Sequence, residues 1–352
     1  MRILQFGVTL RDHPRMQPGY VLFGPTAGRE IFLLGEAGEI VHHWRLPAGL
    51  GNYAQFLPNG NLLVSLKTTE GPKLNAAGGR IAEIDWDGNI IWEYIDHFQH
   101  HDLQLAPNGN VVYLAWDLVP TEGAKMFKGG IAGSEHSDGG VYEDLLREVN
   151  RDGKVVWEWR VSEALDLDKY PLRHNHERHE YAHANTCHVQ QDGNVLVSFR
   201  ELDLLILVNR QTGKIDWEMA DPSWGGQHDC QQLPNGNILL FANGSEQPTP
   251  EKSRILEIDP ASGEIVWKYQ GIPYSTFFSA RISGTQRLAN GNTFIIEGHQ
   301  GRMFEVTPAG EIVWEYISPF YNDNPPLGSV NWIFRARKYA KDDPRLRGRA
   351  LP

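Results

Sequence analysis

Gly263-Glu-Ile-Val-Trp267 and Gly310-Glu-Ile-Val-Trp314 are the same five residues written twice, and four looser copies precede them. These are Gly38-Glu-Ile-Val41, Gly88-Asn-Ile-Ile-Trp92, Gly153-Lys-Val-Val-Trp157 and Gly213-Lys-Ile-Asp-Trp217. Each copy reads as a turn glycine, then an apolar strand that ends on an aromatic ring. In the first copy His42 replaces the tryptophan, and Trp44 is placed to compensate.

A second motif falls between these copies. It appears as Pro58-Asn-Gly-Asn-Leu-Leu63, Pro107-Asn-Gly-Asn-Val-Val112, Gln191-Asp-Gly-Asn-Val-Leu196, Pro234-Asn-Gly-Asn-Ile-Leu239 and Ala289-Asn-Gly-Asn-Thr-Phe294. Asn-Gly and Asp-Gly supply the positive φ angles of a tight hairpin. Gly19-Tyr-Val-Leu-Phe23 reads as a degenerate sixth copy. Alternating the two motifs gives four short antiparallel strands, six times over. That pattern predicts an all-β fold, a six-bladed β-propeller with four antiparallel strands per blade. A pair of β-sandwiches would not require six similar units. The expected blades are 18–44, 52–94, 101–159, 183–219, 228–269 and 278–316, in a single domain covering 1–352. Residues 317–352 read as a C-terminal extension, and its locally basic part, Arg335 to Arg349, as a solvated tail.

Composition narrows the function. The 352 residues carry a net charge of −11 and no run of Lys or Arg, so neither nucleic acid nor a membrane is an expected partner. Near the start, Arg11 and Asp12 interrupt any apolar stretch of signal-peptide length, and the chain reads as soluble and cytoplasmic, or as periplasmic if an export signal has been removed. Two cysteines, Cys187 and Cys230, are too few for a disulfide scaffold. Gly-rich phosphate loops and the Gly-x-Ser-x-Gly elbow are missing, and no cofactor is expected.

Strand direction alternates within a blade, so both tight turns of every blade share one face of the disc. The long segments 67–80, 118–147, 161–182, 245–252 and 271–278 all open on the other face, where a binding site is expected. Eight residues before the Asn-Gly glycine, at the upper end of the innermost strand, stand Asn52, His101, Asn185, His228 and Ser283. His183 lies two before Asn185 and is expected on the same strand face. Seven residues after the glycine stand Lys67, Trp116, Arg200, Asn243 and Gly298, with His299 next. His101, His183, His228 and Arg200 are thus the candidate catalytic residues, and Asn185, Asn243, Trp116, Lys67 and His299 the candidate substrate contacts. Asp102 and Asp229 follow their histidines directly and are expected to point away, toward neighbouring blades. The polar stretch Arg173-His-Asn-His-Glu-Arg-His-Glu180 reads as a lid, not a metal site. Phe127, Tyr142, Tyr170, Tyr181, Trp224, Tyr274, Phe277 and Phe278 either line a pocket for an aromatic ring or pack the insertions.

At these residues the sequence resembles the arylsulfotransferase family, which moves a sulfuryl group between phenols without a nucleotide donor. The resemblance rests on Gln227-His-Asp-Cys-Gln-Gln-Leu-Pro-Asn-Gly-Asn-Ile-Leu-Leu-Phe-Ala-Asn-Gly244, on His183-Ala-Asn185 with Val197-Ser-Phe-Arg200, and on His100-His-Asp102. The segment Gly291 to Tyr316 and the ending Phe334-Arg-Ala-Arg-Lys-Tyr339 extend it. It implies a six-bladed fold, an aryl sulfate donor and a phenolic acceptor. It also implies that His228 carries the sulfuryl group while His101, His183 and Arg200 hold its oxygens.

Elementary chemistry is compatible. A neutral imidazole is a competent nucleophile at pH 7, and a guanidinium fork suits sulfuryl oxygens. Two other readings fit the same residues: a metal enzyme built on three imidazoles, and a non-catalytic propeller that binds a protein or sugar on its upper face.

Overall fold

The computed structural model describes residues 5–245, 251–324 and 327–352. Six antiparallel sheets follow one another along the chain, and each contains four strands in meander order. The predicted six-bladed propeller is therefore the fold. The second blade, for example, runs Leu50–Phe56, Leu62–Lys67, Gly79–Ile84 and Ile90–Ile95, from the central axis to the rim. In this blade the inner strand is buried except at Gln55, whereas the rim strand alternates between half-buried and exposed positions.

The repeated tryptophan closes the ring. The indole of Trp44 donates to the carbonyl of Asp85, and that of Trp92 to Arg151. Trp159 donates to Gly213, Trp217 to Pro260, Trp267 to Pro308 and Trp314 to Glu36. Every bond spans 2.8–3.0 Å and joins the rim strand of one blade to the outer turn of the next. The last returns to the first blade. Trp44 does compensate for His42, whose Nε2 meets the Trp86 carbonyl at 2.9 Å. In the third blade the bond passes from the motif residue Trp157 to Trp159, and Trp157 lies under the Arg210 guanidinium instead.

The asparagines of the second motif have a matching role. Asn59 and Asn61 both donate to Glu83 in the same blade, and the other oxygen of Glu83 takes Arg151 of the next. Asn108 and Asn110 repeat this with Glu148 and Arg210, and Asn235 and Asn237 with Glu257 and Arg287.

One expectation is overturned. The segment read as a C-terminal extension with a solvated tail contains the strand Ile333–Ala340, which pairs with Gly19–Pro25 as the innermost strand of the first blade. The turn motif cannot announce this strand, because the two ends of the chain take the place of the hairpin there. The segment Gly7–Arg11 adds a fifth strand outside the sixth blade, against Ile312–Ile317.

The insertions do gather on the upper face. Gly129–Ile131 and Leu172–Glu177 form a small parallel pair above the third blade. Phe127 and Tyr181 are fully buried beneath it, with ring centroids 4.7 Å apart. Trp224 and Phe277 are equally sealed in their own insertions, so these four rings pack the loops and do not line an open pocket. Of the expected loop 245–252, residues 246–250 lie outside the described residues. Among the described residues no helix is long and apolar enough to cross a membrane.

Candidate active site

The inner strands reach the upper face through irregular pairing. Register shifts interrupt them beside His228 and just after Ala184, and the second strand of the third blade is interrupted opposite His100. His101, His183 and Asp229 take φ values of 44°, 54° and 52°, left-handed conformations that cost a non-glycine residue about 1–3 kcal/mol each. The bulges turn three imidazoles toward the axis. His101 and His183 stand 4.5 Å apart between ring centroids. Phe334, from the closing strand, lies 6.1 Å from His101 and 6.4 Å from His228.

His228 is held by two acceptors. Its Nδ1 is 2.9 Å from the Gly226 carbonyl and 2.8 Å from Oδ1 of Asn243. Asn243 is oriented by its own amide nitrogen, which donates to the carbonyls of Ser279 and Ile282. Both neighbours of Nδ1 accept, so Nδ1 carries the proton and Nε2 the lone pair. Burial, with the Arg200 charge, pushes the pKa down to about 3 and keeps the ring neutral. No protein group bonds Nε2 among the described residues.

His183 has the opposite electrostatics. Its Nδ1 is 2.9 Å from Oε2 of Glu180, whose other oxygen accepts the Trp116 indole at 2.7 Å. Burial opposes the charged imidazolium, but Glu180 outweighs it and the pKa is raised. His101 meets Nδ1 of His100 at 2.7 Å, and burial beside the other histidines holds it well below its ordinary pKa.

Arg200 opens a short 3-10 turn and pairs with Glu201. Glu201 also meets Nδ1 of His176 at 2.5 Å, and Arg173 pairs with Asp203. Arg178 reaches Glu135 at 2.7 Å. The polar stretch 173–180 is thus fastened over the Arg200 turn, where a lid was expected. Among the described residues no group of three or more His, Cys, Asp or Glu side chains is placed to hold a metal ion.

The candidate substrate contacts fare unevenly. Asn243 positions His228, and Trp116 positions Glu180, each from a sealed location. Asn185 is fully buried and donates to the Gln227 carbonyl of the next blade. It does not share a face with His183, because the strand begins at Ala184, one residue after the left-handed turn. Lys67 is exposed on the second blade, with its methylenes over Gly49. His299 stacks on Trp332 at 4.2 Å, and burial with the Arg281 and Arg200 charges pushes its pKa down to about 4.

Beneath the imidazoles, Asp102 and Asp229 point away from them, toward neighbouring blades. They share the fully buried Arg335, at 3.0 and 3.1 Å. Asp229 also takes both ends of Arg337 at 2.7 Å, and Asp102 accepts the Tyr53 hydroxyl at 2.6 Å. Cys187 and Cys230 are free and buried, and burial pushes both thiols up, so neither is a reactive thiolate.

Sequence reasoning missed Glu180, His100, Asp144 and Phe334 as parts of the site. Glu180 was hidden in the lid and Phe334 in the supposed tail. His100 was legible only as a quoted neighbour of His101, and Asp144 carried no signal.

Comparison with known proteins gives the fold and the family. A protein of unknown function from Bacteroides caccae superposes with a TM-score of 0.55 at 14% identity, covering 86% of this chain and 94% of that one. A streptogramin B lyase superposes with a TM-score of 0.50 at 14% identity, covering 95% and 93%. Likeness at this identity extends to the propeller alone. No curated protein matches the sequence. The profile of the family described as arylsulfotransferase (ASST) matches residues 53–319, from the inner strand of the second blade to just past the rim strand of the sixth, and so takes in His101, His183, Arg200 and His228. The chain belongs to the arylsulfotransferase family.

Proposed function

We propose that the protein transfers a sulfuryl group from an aryl sulfate ester to a phenol through a sulfohistidine on His228. The observation that carries this reading is the clamp on His228 Nδ1. Two acceptors fix the proton there, so Nε2 keeps its lone pair with no tautomer change required. Nε2 attacks sulfur, the bond from sulfur to the aryl oxygen breaks, and the aryl oxygen leaves as a phenoxide that then takes up a proton. A second phenol then attacks sulfur, and the lone pair returns to Nε2.

The charges suit that chemistry. Transfer spreads negative charge over three equatorial oxygens, as in phosphoryl transfer. Arg200 and the imidazolium of His183 supply fixed positive donors toward them. His228 stays neutral far below pH 7, so acid does not disarm the nucleophile. His183 is needed charged, and its raised pKa means that this contribution is complete at low pH and fades as pH climbs through that pKa.

Incubation with p-nitrophenyl sulfate and phenol tests the reading. Nitrophenol should appear together with phenyl sulfate, and mass spectrometry of the quenched protein should find one added sulfuryl group on His228. His228→Ala should lower turnover by at least about 10³-fold, a loss on the scale of other removed nucleophiles. Retained transfer in that variant, in a protein of unchanged stability, rejects the nucleophile.

A further inference from the structure

Two half-reactions at one site have opposite proton demands. The departing phenoxide must gain a proton, and the incoming phenol must lose one. Resting on the transfer reading above, the question is where that proton waits in between.

His183 is poorly suited to store it, because Glu180 raises its pKa and favours keeping the proton on its ring. His101 has a different connection. Behind it His100 lies fully buried, its Nδ1 2.7 Å from His101 Nδ1. The His100 ring stacks flat on Trp116, with centroids 4.1 Å apart. On its far side, Nε2 is 3.3 Å from Oδ1 of Asp144, a carboxyl that is 1% exposed. His100 Nε2 and both Asp144 oxygens are sealed from solvent and unpaired, so their 3.3 Å approach is a close contact that a small rotation of the carboxyl aligns into a hydrogen bond. The groups facing this pair are Glu180, Glu143, His183 and Asp96, together with the backbone at Ala115 and Ala184. Burial and the charge of Glu180 push the Asp144 carboxyl well up, which favours its protonated form.

We propose that Asp144, His100 and His101 form a buried proton relay that makes His101 the acid of the first half-reaction and the base of the second. At rest Asp144 donates to His100 Nε2, His100 Nδ1–H donates to His101 Nδ1, and His101 presents Nε2–H to the axis. As the S–O bond breaks, that proton passes to the phenoxide oxygen. His101 Nδ1 then takes the His100 proton, and His100 Nε2 takes that of Asp144. Asp144 ends as a carboxylate and His101 Nε2 bears a lone pair. The acceptor phenol gives its proton to that lone pair, and the three shifts reverse. His101 is the catalytic residue, and His100 and Asp144 are positioning residues that act through it.

The test separates the relay from the transfer reaction itself. Asp144→Asn keeps the shape and the donor toward His100 but cannot release a proton. With p-nitrophenyl sulfate, whose phenoxide leaves without help, the nitrophenol burst should fall by less than threefold. With phenyl sulfate as donor, or unactivated phenol as acceptor, the same variant should lose at least tenfold. A loss that grows with phenol basicity supports the relay, and an equal loss with every phenol overturns it. His228→Ala removes the burst with all donors alike, so failure of the transfer reading has a different signature. Should Asp144→Asn not fold, the wild-type protein decides in mixed H2O and D2O. A bowed dependence of the phenol-acceptor rate on deuterium fraction fits several protons moving together, and a straight line overturns the relay.

Discussion

The rim and the axis of this propeller are built on different principles. At the rim one solution is used six times: an indole of each blade donates to a turn carbonyl of the next. At the axis each imidazole is held in its own way. His101 leans on another histidine, His183 on a carboxylate and His228 on an amide and a carbonyl, while one buried arginine joins Asp102 to Asp229 below them. A repeated contact divides its load among equivalents. A singular one has no substitute. The two regions should therefore answer mutation very differently.

The sharpest way to break the comparison is Arg335→Met. This removes the cation that two sealed carboxylates share, and breaking a buried pair in this way costs about 3–5 kcal/mol. The urea midpoint should fall accordingly, with the slope of the transition unchanged. A midpoint within error of the parent would mean that Arg337 alone holds Asp229 and that the axis is no more singular than the rim.

A second, smaller effect appears in acid. Burial opposes the Asp229 carboxylate, but Arg335 and Arg337 outweigh it and hold the pKa down to about 2, against 3.8 for a free side chain. A lowered folded-state value gives stability that is complete above the unfolded pKa and is lost as pH falls through the folded one. The window is therefore about pH 4 to pH 2, and the contribution is on the order of 2 kcal/mol. Unfolding midpoints at pH 5 and pH 2.5 should drop more steeply for the parent than for Asp229→Asn, which has no carboxylate there to titrate. Parallel slopes would assign the acid sensitivity to other carboxylates.

The same contrast explains what the sequence made legible. Four of the six rim contacts recur at one spacing, so the six glycine-led strands and the five Asn-Gly or Asp-Gly turns declared blade number and strand count. The strand Ile333–Ala340 carries neither signal because it closes the ring where the chain ends, and it was misread as a tail. At the axis the register argument placed His101 and His228 at the upper ends of inner strands from their distance to the turn glycine, and the structure has them there. It failed for Asn185 and Lys67 because the bulges and left-handed residues at the strand starts break the alternation on which it depends. Glu180, Asp144 and Phe334 come from a lid, a long second-hairpin strand and the closing strand. Glu180 stands only three residues before His183 but inside the stretch read as a lid, and nothing local in the chain ties Asp144 or Phe334 to the histidines.

Trp217→Phe probes the rim at its most regular. The substitution keeps an aromatic ring and removes only the indole donor, leaving the Pro260 carbonyl without that partner. Trp217 is half-buried, so water can reach part of the vacated space. The expected loss is near 1 kcal/mol, the net worth of one ordinary hydrogen bond, and turnover should be untouched because the site lies at the opposite face. Pairing it with Trp267→Phe in the neighbouring blade adds a finer test. The two indoles donate to different carbonyls, Pro260 and Pro308, and share no partner. If the rim divides its load among independent clasps, the two losses should sum to within about 0.5 kcal/mol. A double variant that loses clearly more than that sum would show the ring acting as one cooperative girdle, and the rim would then resemble the axis after all.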